Sequence, residues 1–351
     1  MDFKKLKIGY VPYLRDLSQP GDRRRFPYFA ARNHILFEIA DIRKNYDIIL
    51  LTGSGNLSQW LIYKKKHPQV RFIFEMVDSL IFSSDTFSNL FKGIGRFILR
   101  KETSLYFQHK DLIKRWLKIA DIVLCSSTEL KNIVEQWNKN VVVSLDYLQS
   151  EYQCLKSNYC IEGKMKLIWE GQGAVLPHFL HFKDVLRDIS SFCELHIITS
   201  PKYPRFGKLM KINVEKILTQ LPIKTIFHEW DINNNGKIFS ECDCGIIVLN
   251  KNNPFGWHKP SNKLISFWFS GIPTIVSNTP AYTELMNSAG EVLYCASQKE
   301  WVARIQQLKE MKAEEREALA KRNLEFVRTN YSDEALDKIW LNIFGTIGNQ
   351  N

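Results

Sequence analysis

A chain of 351 residues is longer than one hydrophobic core usually serves, so two domains are expected. Hydrophobic residues make up 45% of it, enough for two packed cores and too many for wholesale disorder. The formal net charge of +11 suits nucleic acid, an anionic membrane surface or a phosphorylated small molecule, without choosing among them. The seven cysteines are odd in number and scattered, with no C-x-x-C and no Cys/His ligand spacing, which argues against a disulfide framework or a zinc site and for a reducing cytoplasm. No apolar run approaches the ~18 residues of a spanning helix, and the first strand begins without the apolar region of a secretory leader.

In chain order, Lys7–Tyr13 reads as a strand and Leu14–Pro27 as a polar loop carrying Arg23, Arg24 and Arg25. Apolar residues at helical spacing predict a helix over Tyr28–Arg43. Asp47–Thr52 is a second strand. It ends in Gly53-Ser54-Gly55-Asn56, a small-residue turn into a helix over Leu57–Lys66. Arg71–Val77 is a third strand with Asp78 at its carboxyl end. Leu90–Ile119 sets eight Lys and Arg against Glu102 and Asp111, with large apolar residues between them. It reads either as a basic amphipathic segment for an anionic membrane surface or as helices packed on the first sheet with a basic outer face. Asp121–Ser126 is a fourth strand, Ser127 or Thr128 caps a helix to Trp137, and Val141–Leu145 is a fifth. Such β/α alternation predicts a parallel, doubly wound sheet.

The pattern lapses after Tyr147, and Gln149–Lys164 reads as a linker. It resumes with a strand at Lys166–Trp169 that meets Gly171-Gln172-Gly173, a strand at Leu195–Thr199, a helix near Leu209–Leu221 and a strand at Lys224–Phe227. Cys244–Leu249 is an apolar run fit for a strand buried on both faces. Ser261 then opens a helix that Gly271 closes, with Pro273 two residues on. Thr274–Ser277 is a further buried strand, and Thr279 with Pro280 starts the next helix, a capping hydroxyl followed by proline at the first helical position. After a strand at Val292–Cys295, three helices are expected over Lys299–Met311, Ala313–Thr329 and Ser332–Ile347.

Parallel strands joined in this way send the helix N-termini to the carboxyl edge of the sheet, where an α/β fold holds its ligand. Lys259 flanks one of those N-termini and Lys263 sits in its first turn. Positive charge there opposes the helix dipole, and an anionic ligand such as a diphosphate removes the conflict. The plainer alternative is two solvated surface lysines on a structural crossover.

The run Cys242–Leu249, then Lys259 and Lys263, then Gly271-Ile272-Pro273, Ser277 and Glu284, resembles the donor-binding region of family-4-type GT-B glycosyltransferases. Trp169-Glu170-Gly171 resembles the start of their second domain, and Met76-Val77-Asp78 with Ala120–Ser126 the matching pieces of the first. The resemblance implies an α/β GT-B fold, two Rossmann-like doubly wound domains facing a central cleft. Residues 1–150 would be the acceptor-binding domain, 165–330 the nucleotide-sugar-binding domain, and the last helix, within 332–351, would cross back onto the first. It also implies a sugar transfer from a nucleotide-diphosphate sugar to a glycan or lipid-linked glycan hydroxyl. The outcome would be retaining, in surface-glycan synthesis at the inner face of the membrane.

On the same match Lys263 makes the main phosphate contact and Lys259 supports it. The donor region takes in Gly171, Gln172, Gly173, Ser261, Asn262, Ser277, Thr279, Tyr282 and Glu284. Two departures stand out. Where such enzymes often carry two glutamates eight positions apart, this chain has His258 and Ser266, and Gln172 stands where an arginine often follows the glycine.

Asp78, at a strand end, is the candidate general base, and His258 the second catalytic candidate. Arg23, Arg24 and Arg25 would grip an acceptor phosphate, with His109 also on the acceptor side. No D-x-D pair ends a strand, so no metal and no cofactor are expected. The alternative function is a catalytically silent GT-B-like partner subunit that binds nucleotide or glycan. Nucleic-acid binding rests on charge alone and is set aside.

Overall fold

The computed structural model describes residues 6–77, 81, 109–148, 154–205, 210–250 and 254–348. They form two compact units. The first comprises Met1–Tyr147, His258–Pro260 and Asp333–Asn351, the second Leu148–Trp257 and Ser261–Ser332.

The first unit is built on a six-stranded sheet of β1 (Ile8–Val11), β2 (Glu38–Ile39), β3 (Ile48–Thr52), β4 (Arg71–Met76), β5 (Ile122–Cys125) and β6 (Val141–Val143), in the order β2-β1-β3-β4-β5-β6. Every pairing is parallel. Parallel strands are covered on both faces, and β3 is accordingly buried at all five positions. The helix Leu57–Lys66 follows the expected turn, with Asn56 Oδ1 accepting from Gln59 N at 3.0 Å. The helix His109–Ile119 buries Leu112, Ile113, Trp116 and Leu117, and the Trp116 indole donates to the Leu57 carbonyl at 3.0 Å.

The C-terminal helix Asp333–Gly348 belongs to this unit. Trp340 stacks on Phe29 at 5.6 Å between ring centroids, and Arg32 reaches the carboxylates of Asp333, Glu334 and Asp337 at 3.0–3.3 Å. Tyr28 and Tyr147 donate to Asp333 and Asp337.

The second unit carries β7 (Met165–Glu170), β8 (Cys193–Thr199), β11 (Thr225–Glu229), β12 (Cys244–Ile247), β13 (Thr274–Ser277) and β14 (Tyr294–Cys295), in the order β11-β8-β7-β12-β13-β14 and again all parallel. Between β8 and β11 stands an antiparallel hairpin of β9 (Lys202–Arg205) and β10 (Met210–Asn213). The helix Asn262–Phe269 ends at Gly271, whose φ of 71° lies in the left-handed region open to glycine.

Three expectations need correction. The helix expected to reach Arg43 ends at Arg32: Asn33 turns its amide onto the Phe29 carbonyl and His34 adopts φ 56°, so the apolar residues beyond lead to the edge strand β2 instead. The stretch expected as a helix near Leu209–Leu221 begins as β10, whose Ile212 pairs with Tyr203, and keeps only a turn of helix at Glu215–Leu218. The helix after Ser127 stops at Val134. Of Leu90–Ile119, only residues from His109 onward are described.

A half-buried pair of titrating groups belongs to the sheet itself. His196 on β8 and His228 on β11 approach at 3.0 Å between Nδ1 and Nε2, with Glu194 Oε1 3.3 Å from the other His196 nitrogen. Burial lowers both histidines below the ordinary value of 6.5, and for His228 the neighbouring His196 adds to it. The bridge holds one proton, and a second would set two donors face to face. As pH falls through the range just below 6.5, the unfolded chain binds protons that the folded pair refuses, so folding stability drops. Thermal unfolding from neutral pH down through this range should show that fall, and His228→Gln should flatten it. A variant with an unchanged pH slope would clear the pair of this role.

Candidate functional site

In each sheet two adjacent strands send their connections to opposite sides. These are β1 and β3 in the first unit and β7 and β12 in the second. An open parallel sheet leaves a crevice at the carboxyl ends of such strands. The candidate residues collect at these two places.

In the second unit β7 ends in Glu170 and meets Gly171. Lys263, in the first turn of the helix Asn262–Phe269, points its ammonium there. It donates to the Glu170 carbonyl, lies 3.3 Å from Glu170 Oε2 and stands 5.3 Å from the centre of the Trp169 ring. This closeness depends on Gly171. A Cβ at that position would fall 2.6 Å from the Trp169 indole and 3.1 Å from Lys263 Nζ. Tyr282 is buried nearby, its phenol pKa raised by burial and then by the charge of Glu170.

Across the switch point, Ser277 Oγ accepts from Leu249 N at 2.8 Å and lies 3.2 Å from the Leu249 carbonyl, tying the exit of β12 to the end of β13. Thr279 precedes Pro280 at the start of the helix Pro280–Ser288, as expected, but its hydroxyl does not cap that helix. It is 1% exposed and Oγ1 has no hydrogen-bond partner. Thr199 Oγ1, at the end of β8, is in the same condition. An unsatisfied buried hydroxyl costs about 1–3 kcal/mol, and a bound ligand or water relieves it.

The structure thus gathers Gly171, Lys263, Ser277, Thr279 and Tyr282 at one sheet edge. Glu170 belongs with them, although the sequence reading assigned it no role; its place at a strand end beside Gly171 was the available signal. Gln172 is exposed and Gly173 is buried against Tyr203. Ser261 is the buried residue before the helix, which Asn262 begins. Glu284 is exposed farther along its own helix, with its charge felt by Tyr331. Ser266, at one of the two positions where a glutamate is common, turns its hydroxyl onto the Asn262 carbonyl at 3.0 Å.

Residues 258–260 group with the first unit, so Lys259 is separated from Lys263 in this division. His258 Nδ1 lies 3.0 Å from the carboxylate of Glu129, in the first turn of the helix Thr128–Val134. His109 opens the helix His109–Ile119 and is half-buried. Asp78 lies outside the described residues.

The expected phosphate grip needs correction at Arg25. Its guanidinium is 0% exposed and spent on two carboxylates, Glu75 through Nε and Asp146 at 3.0 Å. Removing either partner of such a buried pair costs about 3–5 kcal/mol, so Arg25 is a structural ion. Arg23 is half-buried with Nε on the Ser18 carbonyl at 3.1 Å, and Arg24 is half-buried beside it.

No protein-family model matches this chain, and no curated protein matches it. Among solved structures it is similar to Anabaena HepE in complex with UDP, with TM-score 0.65 at 12% identity over 97% of this chain and 100% of that one. It is similar to a glycosyltransferase from Rickettsia africae, TM-score 0.64 at 11% identity over 98% of each chain. A third is sucrose-phosphate synthase from Thermosynechococcus elongatus, TM-score 0.64 at 12% identity over 87% of this chain and 75% of that one. The likeness is one of fold, and the fold of this chain is GT-B.

Gly171→Ala offers a direct check on the second-unit geometry. The added methyl displaces Trp169 or Lys263, and the buried indole packed on Phe179 resists, so a loss of about 1–3 kcal/mol is expected in chemical denaturation. Wild-type stability in this variant would show that the close approach is not constraining.

Proposed function

We propose that this chain is a glycosyltransferase that moves a sugar from a nucleotide-diphosphate sugar to a hydroxyl of a glycan or glycoconjugate acceptor. One observation carries the reading: a lysine ammonium in the first turn of a helix, held at the switch point of a parallel sheet against a glycine that admits close backbone approach. The solved UDP complexes of proteins with this fold support the same ligand class. A leaving diphosphate needs its growing charge stabilised, and Lys263 with the amide-rich start of the helix after Thr279 can supply that. On this reading Lys263 leaves Glu170 for the diphosphate, and Thr279 Oγ1 donates to it. The proposal extends to a metal-independent, retaining transfer in surface-glycan synthesis at the cytoplasmic side of a membrane, with Asp78 and His258 as the candidate catalytic groups.

A thermal-shift panel of UDP-, GDP-, dTDP-, CMP- and ADP-sugars tests the donor. One nucleotide class should raise Tm by mass action, and Lys263→Ala should abolish the shift. Glu170→Gln, which frees the ammonium from a partly exposed pair, should tighten binding roughly two- to fivefold. Transfer measured with the responsive donor should survive EDTA. No shift with any donor would defeat the reading and favour the silent partner subunit.

Membrane contact belongs to the proposal only in electrostatic form. In the described part of the basic stretch the apolar face is already used by the core of the first unit, which leaves Arg115 and Lys118 outward and Lys110 and Lys114 half-buried. No helix among the described residues is long and apolar enough to cross a membrane. Flotation with vesicles containing phosphatidylglycerol should therefore occur at low salt and disappear at high salt. Flotation that resists salt would require an inserted apolar segment instead.

A further inference from the structure

Each six-stranded sheet has two edges, and three of the four edge strands are very short: β2 and β14 have two residues each and β6 has three. Short edge strands guard a sheet against pairing with another chain. β11 is the exception. It runs for five residues, Thr225–Glu229, and at its centre Phe227 is 39% exposed.

The hydrogen bonds show which backbone groups this edge offers. Leu195 N donates to the Lys224 carbonyl at 2.9 Å, and Trp230 N donates to the Thr199 carbonyl at 3.1 Å. The parallel register pairs Thr225 with Leu195 and Glu229 with Thr199. Alternate residues of a strand face opposite neighbours, so the even-numbered positions from Lys224 to Trp230 bond to β8. Thr225, Phe227 and Glu229 turn their amides and carbonyls outward, and among the described residues nothing bonds to those groups. Such a row is a template for one more strand.

The row is complementary to itself. In an antiparallel pair, residues directly opposite can exchange both of their backbone bonds. A twofold axis at Phe227 sets Phe227 against Phe227 and Thr225 against Glu229, so all three outward residues find a donor and an acceptor. The side chains on that face then meet as ring on ring and hydroxyl on carboxylate, with no acid opposite an acid. Charge agrees with this direction. Exposed Lys224 precedes the strand and exposed Glu229 ends it. Antiparallel pairing brings the basic end of one copy to the acidic end of the other, whereas parallel pairing would set like on like.

We propose that β11 is the interface of a homodimer, in which two copies pair antiparallel about Phe227 and join their second-unit sheets into one. The inference is independent of the transferase reading, and because the pairing is lateral it leaves the carboxyl edge of each sheet uncovered. One strand on one strand is small beside the roughly 1,200–2,000 Å² of a stable interface, so the dimer is weak and forms with concentration. An isologous contact of this kind closes at two copies.

Sedimentation velocity on the full chain from about 1 µM to about 500 µM covers dissociation constants in that weak range. The wild type should pass from monomer to dimer. Thr225→Glu sets a carboxylate against Glu229 of the partner subunit twice per dimer, and should weaken association roughly 3- to 30-fold. Adding Glu229→Lys to it turns each repulsion into an attraction and should restore the dimer. Phe227→Pro removes only an outward N–H and leaves the bonds to β8 in place, so it should abolish the dimer with the circular dichroism of the chain unchanged. A chain that stays monomeric throughout would overturn the inference. So would a dimer unmoved by Thr225→Glu, a double variant no tighter than the single one, or growth beyond two copies. Should Phe227→Pro fail to fold, the charge exchange at 225 and 229 still decides the question.

Discussion

Strand direction is the constraint on which the rest of this molecule depends. Each six-stranded sheet is parallel throughout, so each crossover must carry the chain back to the amino edge, and loops and helix starts accumulate at the carboxyl edge. At the one point in each sheet where the connections diverge, no crossover packs over the gap. The second unit sets a lysine paired with a glutamate, a glycine and three hydroxyl-bearing residues at its edge, and the first a glutamate and an arginine that are largely used up on each other. The same backbone geometry therefore yields two different electrostatic environments, and side-chain choice alone separates them.

Those choices carry internal costs. Lys263 sits at the positive end of its helix, which the helix dipole opposes, and Glu170 offsets that in the structure described. An ammonium with three donors, facing one carboxylate, one carbonyl and a ring face, has settled for available partners. Arg25 is different. Burial disfavours its charge, but the paired carboxylates of Glu75 and Asp146 outweigh that and raise its pKa. The first lysine can exchange partners for a ligand; the buried arginine cannot leave without unfolding its surroundings.

Much of this was legible in the residues. Strands buried on both faces announce themselves as short apolar runs, and Cys244–Ile247 and Thr274–Ser277 are two of them. The turn before Leu57, the glycine at 271 and the proline at 280 mark helix ends through local chemistry, and the helices fall where those signals stand, although the Thr279 hydroxyl makes no cap. What failed was non-local. Nothing near His34 declares that the backbone will turn left-handed there, and Ile35–Phe37 mimic another helical turn. β10 needs β9 as partner, and its helix-compatible residues give no sign of that pairing. Arg25 is the sharpest case. In sequence it is one of three loop arginines, and only the folded neighbourhood of Glu75 and Asp146, 50 and 121 residues away, makes it part of the core.

That reversal bears on how charge should be read in a basic protein. The net charge of +11 suits anionic partners without choosing among them, and the arginine triplet was the candidate grip for an acceptor phosphate. Burial redistributes that charge: a cation paired with buried acids is largely cancelled where it stands and adds little to the outer field. An edge with a part-exposed lysine suits an anion, and an edge whose arginine is buried and paired offers no such grip. The two sheets share an architecture, and the placement of buried acids gives their carboxyl edges different charge.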